Sequence, residues 1–240
     1  MSGRGHVQSL GPLRLTELLQ RTTQEETRAA AGSRFARRLS LGRVDRDGYV
    51  RLLSCLQSLY AELEWSLEWN HRHPSVSPFC LPEMWRNELL QDDLRTLLGP
   101  SWYERAPRQS AMPWVDRLGL LCDAAPELLA AHAWALYVLD IPGAAAAGAE
   151  VARGLGLRGG AGTVFLRHIS GLEGTVGRVR ILDALDRLSL DTTTRSALLG
   201  EARVATGMLR ELLAALDRPR LLTLSSREDT TGGAMLDASV

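Results

Sequence analysis

Lysine is missing from this chain. All 28 basic residues among its 240 are arginine, and 28 acidic residues balance them. Any point-charge contact made elsewhere by a lysine must here be made by a guanidinium or left neutral, and the two cations are not equivalent. A net charge of zero leaves no basic surplus to concentrate nucleic acid, so no nucleic-acid partner is expected. Cysteine is scarce: Cys55, Cys80 and Cys122 are odd in number and form no CxxC pair. That pattern argues against a disulfide scaffold and points to reduced thiols in a cytoplasmic chain. Aromatic residues make up only 5%, and strict apolar/polar alternation is rare, which speaks against a sheet. No apolar run reaches the ~18 residues of a membrane span. The opening MSGRGHVQSLGP lacks the apolar segment of a signal peptide. A soluble protein without a membrane span is expected.

What the chain has in abundance is helical periodicity. Residues 1–12 read as a flexible arm, 13–217 as one helical domain, and 218–240 as a disordered polar tail without a membrane anchor. Leu15, Leu18, Leu19, Thr22, Thr23 and Glu26 recur at three- and four-residue spacing, with Thr16 as N-cap and Gly32-Ser33 as stop. A second helix is expected after Asp45-Arg46-Asp47-Gly48. Its stripe of Tyr49, Leu52, Leu53, Leu56, Leu59, Tyr60, Leu63 and Leu67 runs over about five turns at 3.6 residues each. The three prolines between His71 and Pro82 mark a loop, and Pro82 suits the first turn of a helix that Gly99-Pro100 stops. Two further helices are expected over 112–122 and 126–139. Pro142-Gly143 should then kink the chain before a helix over Ala144–Arg153. After a loop with five glycines, Gly154–Gly162, two last helices follow. One buries Val176, Val179, Leu182, Leu185 and Leu188; the other opens at Asp191 and buries Leu198, Ala202, Ala205, Leu209, Leu212, Leu213 and Leu216. The expected architecture is all-α, a single domain of seven to nine helices.

Four blocks carry a family resemblance. Leu19-Gln20-Arg21-Thr22-Thr23-Gln24-Glu25-Glu26-Thr27 is the first. Gly42-Arg43-Val44-Asp45-Arg46-Asp47-Gly48-Tyr49 with Tyr60-Ala61-Glu62-Leu63-Glu64 is the second. Ser77-Pro78-Phe79-Cys80-Leu81-Pro82-Glu83, Asp93-Leu94 and Gly99-Pro100-Ser101-Trp102 form the third. The fourth runs from Glu127 through Leu128-Leu129-Ala130-Ala131-His132-Ala133 to Asp140 and Gly143. Together they resemble the animal-type haem oxygenases, whose fourth block reads roughly ELLVAHAYTRYLGDLSGG. The likeness spans about Leu13 to Leu216. It implies a haem-oxygenase-like domain with a kinked distal helix. The family activity is oxidative cleavage of haem to biliverdin, carbon monoxide and ferrous iron, with electrons from an NADPH-dependent flavoprotein reductase.

The resemblance also assigns positions. Thr27 stands where the family has the histidine that ligates the iron, and no histidine lies between His6 and His71 to replace it. A threonine hydroxyl is not among the groups that hold haem iron, which are imidazole, thiolate, thioether and phenolate. Ala31 stands where a glutamate supports that imidazole. On the distal side Asp140 matches the carboxylate that orders the water network, and Gly143 matches a glycine that lies close to the haem face. Trp134, Leu136, Leu139, Pro142 and Ala144 replace Tyr, Arg, Gly, Ser and Gly. Leu139 puts a branched side chain where backbone should lie against the ligand. Gln20 and Gln24 replace lysines that pair with haem propionates; Arg178 keeps one such charge and Leu182 replaces another. Each lost cation–carboxylate contact weakens haem binding by ~1–3 kcal/mol. The expectation is a haem-oxygenase-like protein whose turnover is impaired at Thr27. The alternatives are a working enzyme with another iron ligand and a non-haem helical interaction module. His132 reads as a satisfied packing residue, and Glu68-Trp69-Asn70-His71 is a single ExxH where a di-iron bundle needs two. Trp65 and Trp69 share a helix face opposite the leucine stripe.

Overall fold

The computed structural model describes residues 13–218. The arm expected at 1–12 and all of the expected tail beyond Arg218 lie outside them. Among the described residues the chain is helical with no strand. Eleven α-helices follow in order: α1 Leu15–Ala31, α2 Arg34–Ser40, α3 Arg46–Trp69, α4 Asn87–Leu98, α5 Trp102–Arg105, α6 Met112–Ala124, α7 Leu129–Ala133, α8 Ala144–Gly154, α9 Val164–Ser170, α10 Leu172–Asp186 and α11 Thr192–Leu216. The count exceeds the expected seven to nine because short helices such as α2, α5 and α9 carry too few turns to show a period.

α3 is the centre of the molecule. Every residue of its expected stripe is fully buried, and Ser54, Glu64 and Ser66 are buried on its other faces. It packs between α4 and α6, while α1 lies along α11. Asp45 starts α3 by accepting from the Gly48 N–H at 2.7 Å, and Asp191 starts α11 by accepting from Thr194 at 2.8 Å. These are local side-chain caps of the kind that replace missing intrahelical partners.

Elsewhere distant residues make the cap. Thr16 was expected to begin α1, but it lies inside the first turn. Its N–H and hydroxyl both donate to Asp186 at the end of α10, at 3.0 and 3.1 Å. Pro82 opens a short 3-10 turn, and α4 starts only at Asn87. The buried Asp93 of α4 accepts from Val164 N–H at 2.7 Å and Phe165 N–H at 2.9 Å, so its carboxylate caps α9 from another helix. Burial raises the Asp93 carboxyl to about 6 despite these bonds. Asp93→Ala is expected to cost about 2 kcal/mol, the upper end for losing a cap, read as a lower urea midpoint with unchanged slope.

α10 departs from the expected face. Val176 and Val179 are half-exposed; Leu185 is buried as expected, and Gly174, Gly177, Ile181 and Ala184 turn inward with it. Part of the reason is a close approach of backbone: a Cβ on Gly174 would stand 2.7 Å from the His168 carbonyl oxygen, a contact that only glycine fits. The loop before α3 approaches α8 as closely. Gly42 has φ +62°, and a Cβ on Gly154 would lie 2.2 Å from the Gly42 carbonyl oxygen.

The segment expected as one helix over 126–139 begins as a 3-10 turn at Pro126–Leu128, continues as α7, and widens into a π-helical turn at Trp134–Leu139. It then bends by 56° into α8, as Pro142-Gly143 led one to expect. No single helix among the described residues is long and apolar enough to cross a membrane.

Candidate functional site

A cleft of about 520 Å³ opens between α1, the π-helical turn and α10. That volume falls in the range of small-molecule sites. α1 lines it with Gln20, Thr23, Gln24, Thr27, Arg28 and Ala31, spaced i, i+3, i+4, i+7, i+8 and i+11 along one helix face. The opposite wall is apolar, built from Trp134, Val138 and Leu139. Arg178 and Leu182, one turn apart on α10, complete it. Among the described residues no acidic side chain lines the cleft.

The polar groups of α1 are largely committed. Thr27 donates its hydroxyl to the Thr23 carbonyl at 2.8 Å, and Thr23 donates to the Leu19 carbonyl at 2.8 Å. Trp134 Nε1 donates to the Thr23 hydroxyl at 3.4 Å. The cations are not: Arg178 Nε is buried without a hydrogen-bond partner.

Eight of the ten residues singled out from the sequence meet here: Gln20, Gln24, Thr27, Ala31, Trp134, Leu139, Arg178 and Leu182. Gly143 and Asp140 do not. Gly143 has φ +84° and turns toward α2, where a Cβ would meet Ser40 at 2.9 Å. Asp140 is buried and belongs to a separate polar cluster behind the π-helical turn.

That cluster was not legible in the sequence. Its centre is Arg86, 1% exposed. Arg86 Nη1 donates to the Tyr60 hydroxyl oxygen at 2.6 Å and to the Leu136 carbonyl at 2.9 Å. It also lies 3.1 Å from Asp140 Oδ2, off the hydrogen-bonding direction, so charge rather than alignment holds that pair. The guanidinium carbon sits 5.0 Å from the Tyr137 ring centre and 5.4 Å from that of Tyr60. Glu64 accepts from the Arg86 N–H at 2.6 Å and from the Tyr137 hydroxyl at 3.0 Å. Burial pushes Glu64 up to about 7. Burial alone would lower Arg86, but Asp140 and the two tyrosines hold its guanidinium above the ordinary value. Asp140 itself has φ 58° and ψ −171°, and no other non-glycine among the described residues has positive φ. That region is essentially reserved for glycine, so Asp140 persists there only because its surroundings hold it. Its Oδ1 accepts from Ile141 N–H at 2.8 Å. Tyr60 and Glu64, one turn apart on α3, were the only sequence hint of a polar face.

His132 is satisfied, as expected. Trp114 Nε1 donates to its Nδ1 at 2.8 Å, which leaves the proton on Nε2 to reach Glu201 Oε1 at 2.9 Å. Arg117 pairs with the same carboxylate, and burial keeps the imidazole below its ordinary value. His168 pairs with Glu173, and none of the histidines among the described residues lines the cleft. Trp65 and Trp69 stack at 5.5 Å, both more than half exposed. No group of three or more metal-binding side chains occurs among the described residues.

The family model described as Heme oxygenase matches residues 13–215. The chain belongs to the haem oxygenase family. It is 29% identical over 226 residues to heme oxygenase 1 of Pongo abelii, covering 93% of this chain and 78% of the relative. To heme oxygenase 2 of a Synechocystis strain it is 30% identical over 209 residues, covering 85% and 83%. Among solved structures it is similar to heme oxygenase-2 from Synechocystis in complex with heme and NO. That match has a TM-score of 0.78 and 28% identity, covering 85% of each chain. The fold is thus the all-α haem oxygenase fold.

The cleft fits part of what the family's ligand asks. Its apolar wall and two cations suit a flat apolar molecule bearing carboxylates. Its donor set does not suit iron: among the described residues no imidazole, thiolate, thioether or phenolate lines it.

Proposed function

We propose that this chain keeps the haem oxygenase fold and its ligand cleft but has lost haem turnover. One observation carries the reading. Thr27 occupies the cleft at the position the resemblance gives to the iron ligand, and its hydroxyl is already spent on the Thr23 carbonyl. The neighbouring Ala31 offers no carboxylate to orient an imidazole there, so ligand and support are missing together. Across the cleft Leu139 and Val138 fill space on the wall facing α1.

A second reading has its own support. Asp140 is retained and Arg178 keeps the charge of a family lysine, so an enzyme with a different iron ligand would have both groups in place.

The test is a hemin titration followed by reductase and NADPH, with biliverdin as the readout. The expected result is no biliverdin and a Soret band without the signature of a nitrogen ligand. Biliverdin formed only after adding imidazole is expected if a cavity persists beside Thr27. Biliverdin formed without imidazole would overturn the proposal.

A further inference from the structure

We infer that the cleft takes an apolar, flat, carboxylate-bearing tetrapyrrole without regard to its metal, so that a metal-free porphyrin binds as well as haem. The inference rests on the proposed loss of the iron ligand and names the ligand class of that same site.

Three features of the cleft point the same way. Its walls at Trp134, Val138, Leu139 and Leu182 are apolar, and burying a flat hydrocarbon face against them is favourable whatever sits at the ring's centre. Its charge is one-sided: among the described residues Arg28 and Arg178 line it and no carboxylate does. Among the described residues neither arginine forms an ion pair, unlike Arg86, Arg117 and Arg210, which are paired. Arg178 Nε in particular is shut off from solvent with nothing to donate to. A buried donor without an acceptor is costly, and an incoming carboxylate oxygen supplies one. Finally, the cleft holds nothing that distinguishes an iron porphyrin from its metal-free ring. In a site with an axial ligand the metal bond sets haem apart. Here Thr27 gives its proton to the backbone and presents no nitrogen or sulfur.

The full chain is titrated with hemin, with protoporphyrin IX, and with the dimethyl ester of protoporphyrin IX, following quenching of tryptophan fluorescence. Hemin and the free-acid porphyrin are expected to bind within about twofold of one another, and the ester about tenfold or more weakly. Arg178→Gln is expected to weaken both free acids about tenfold while leaving the thermal midpoint unchanged. Thr27→His is expected to tighten hemin alone.

Hemin binding more than about tenfold tighter than the free-acid porphyrin in the unaltered chain would overturn the inference. Equal binding of ester and acid, or no binding of either ring at micromolar concentration, would overturn it too. Those failures leave the loss of turnover standing. Biliverdin production by the unaltered chain sinks the loss of turnover and is scored separately from the affinity ratio.

Discussion

Replacing Arg86 with methionine costs about 3–5 kcal/mol of stability, the range for removing one partner from a buried charge pair. Arg86 touches the Tyr60 hydroxyl, the Leu136 carbonyl and Asp140, and all of these are buried. Without it, Asp140 becomes an uncompensated buried carboxylate in a backbone conformation that only its surroundings maintain. The loss should reach beyond stability. The π-helical turn carries Trp134, Val138 and Leu139 into the cleft on one side and hands the Leu136 carbonyl to Arg86 on the other. Losing one of that carbonyl's two donors, the other being the Tyr60 hydroxyl at 2.6 Å, loosens the apolar wall. Asp140→Gly removes both the orphaned charge and the strain at φ 58°. The double variant Arg86→Met/Asp140→Gly is therefore expected to be less destabilised than the sum of the two single variants. Urea unfolding of all four proteins closes the cycle. Strict additivity would show that Arg86 and Asp140 act independently, against the 3.1 Å contact.

Stability falls as pH rises toward neutrality, and Glu64 is the main cause. Its ordinary value of 4.5 applies to the unfolded chain, and burial raises it to about 7 in the native protein. Between those values the native state holds a proton that the unfolded state has released. By linkage, stability then declines with rising pH. The contribution is fully present below about pH 4.5 and lost as pH passes about 7. A shift of this size corresponds to about 3 kcal/mol for a residue so little exposed. The cause is burial: below the transition Glu64 is uncharged in its dry surroundings. Above it a charged carboxylate must be carried away from water, and the hydrogen bonds it accepts offset only part of that cost. Asp93, raised to about 6, adds a slope of the same sign at lower pH. His132, held below its ordinary value by burial, acts oppositely: its contribution is lost as pH falls through the acid range. Comparing the unaltered chain with Glu64→Gln isolates the one group. The difference in unfolding free energy is expected to change by about 3 kcal/mol between about pH 4 and pH 8, favouring the unaltered chain at the acid end. Parallel pH profiles for the two proteins would refute the assignment.

Much of the cleft was legible without a structure. Gln20, Gln24, Thr27 and Ala31 fall on one face because a helix repeats every 3.6 residues, and the resemblance named that face as the one toward the ligand. Arg178 and Leu182 were found in the same way. Arg28 was missed, although it lies one residue beyond Thr27 on the same stripe. Asp140 was read as the carboxylate of the distal water network and Gly143 as a glycine close to the ligand; neither is among the residues that line the cleft. Both sit at or after the bend, where the chain leaves helical geometry and residue spacing no longer predicts direction.

From sequence alone came the all-α class, the central buried stripe of α3, the opening of α11 near Asp191, the break at Pro142-Gly143 and a threonine at the position the resemblance gives to the iron ligand. Each is a local property, settled by which side chain stands three or four places from which other. Packing alone decided that Arg86 is buried, that Asp140 lies against it, that Asp93 caps a helix about 70 residues further along, and that α10 shows its valines to solvent. These pairings join residues far apart in the chain. Their free energy comes from excluding water around groups that only the assembled helices bring together, and no pattern along one helix encodes it.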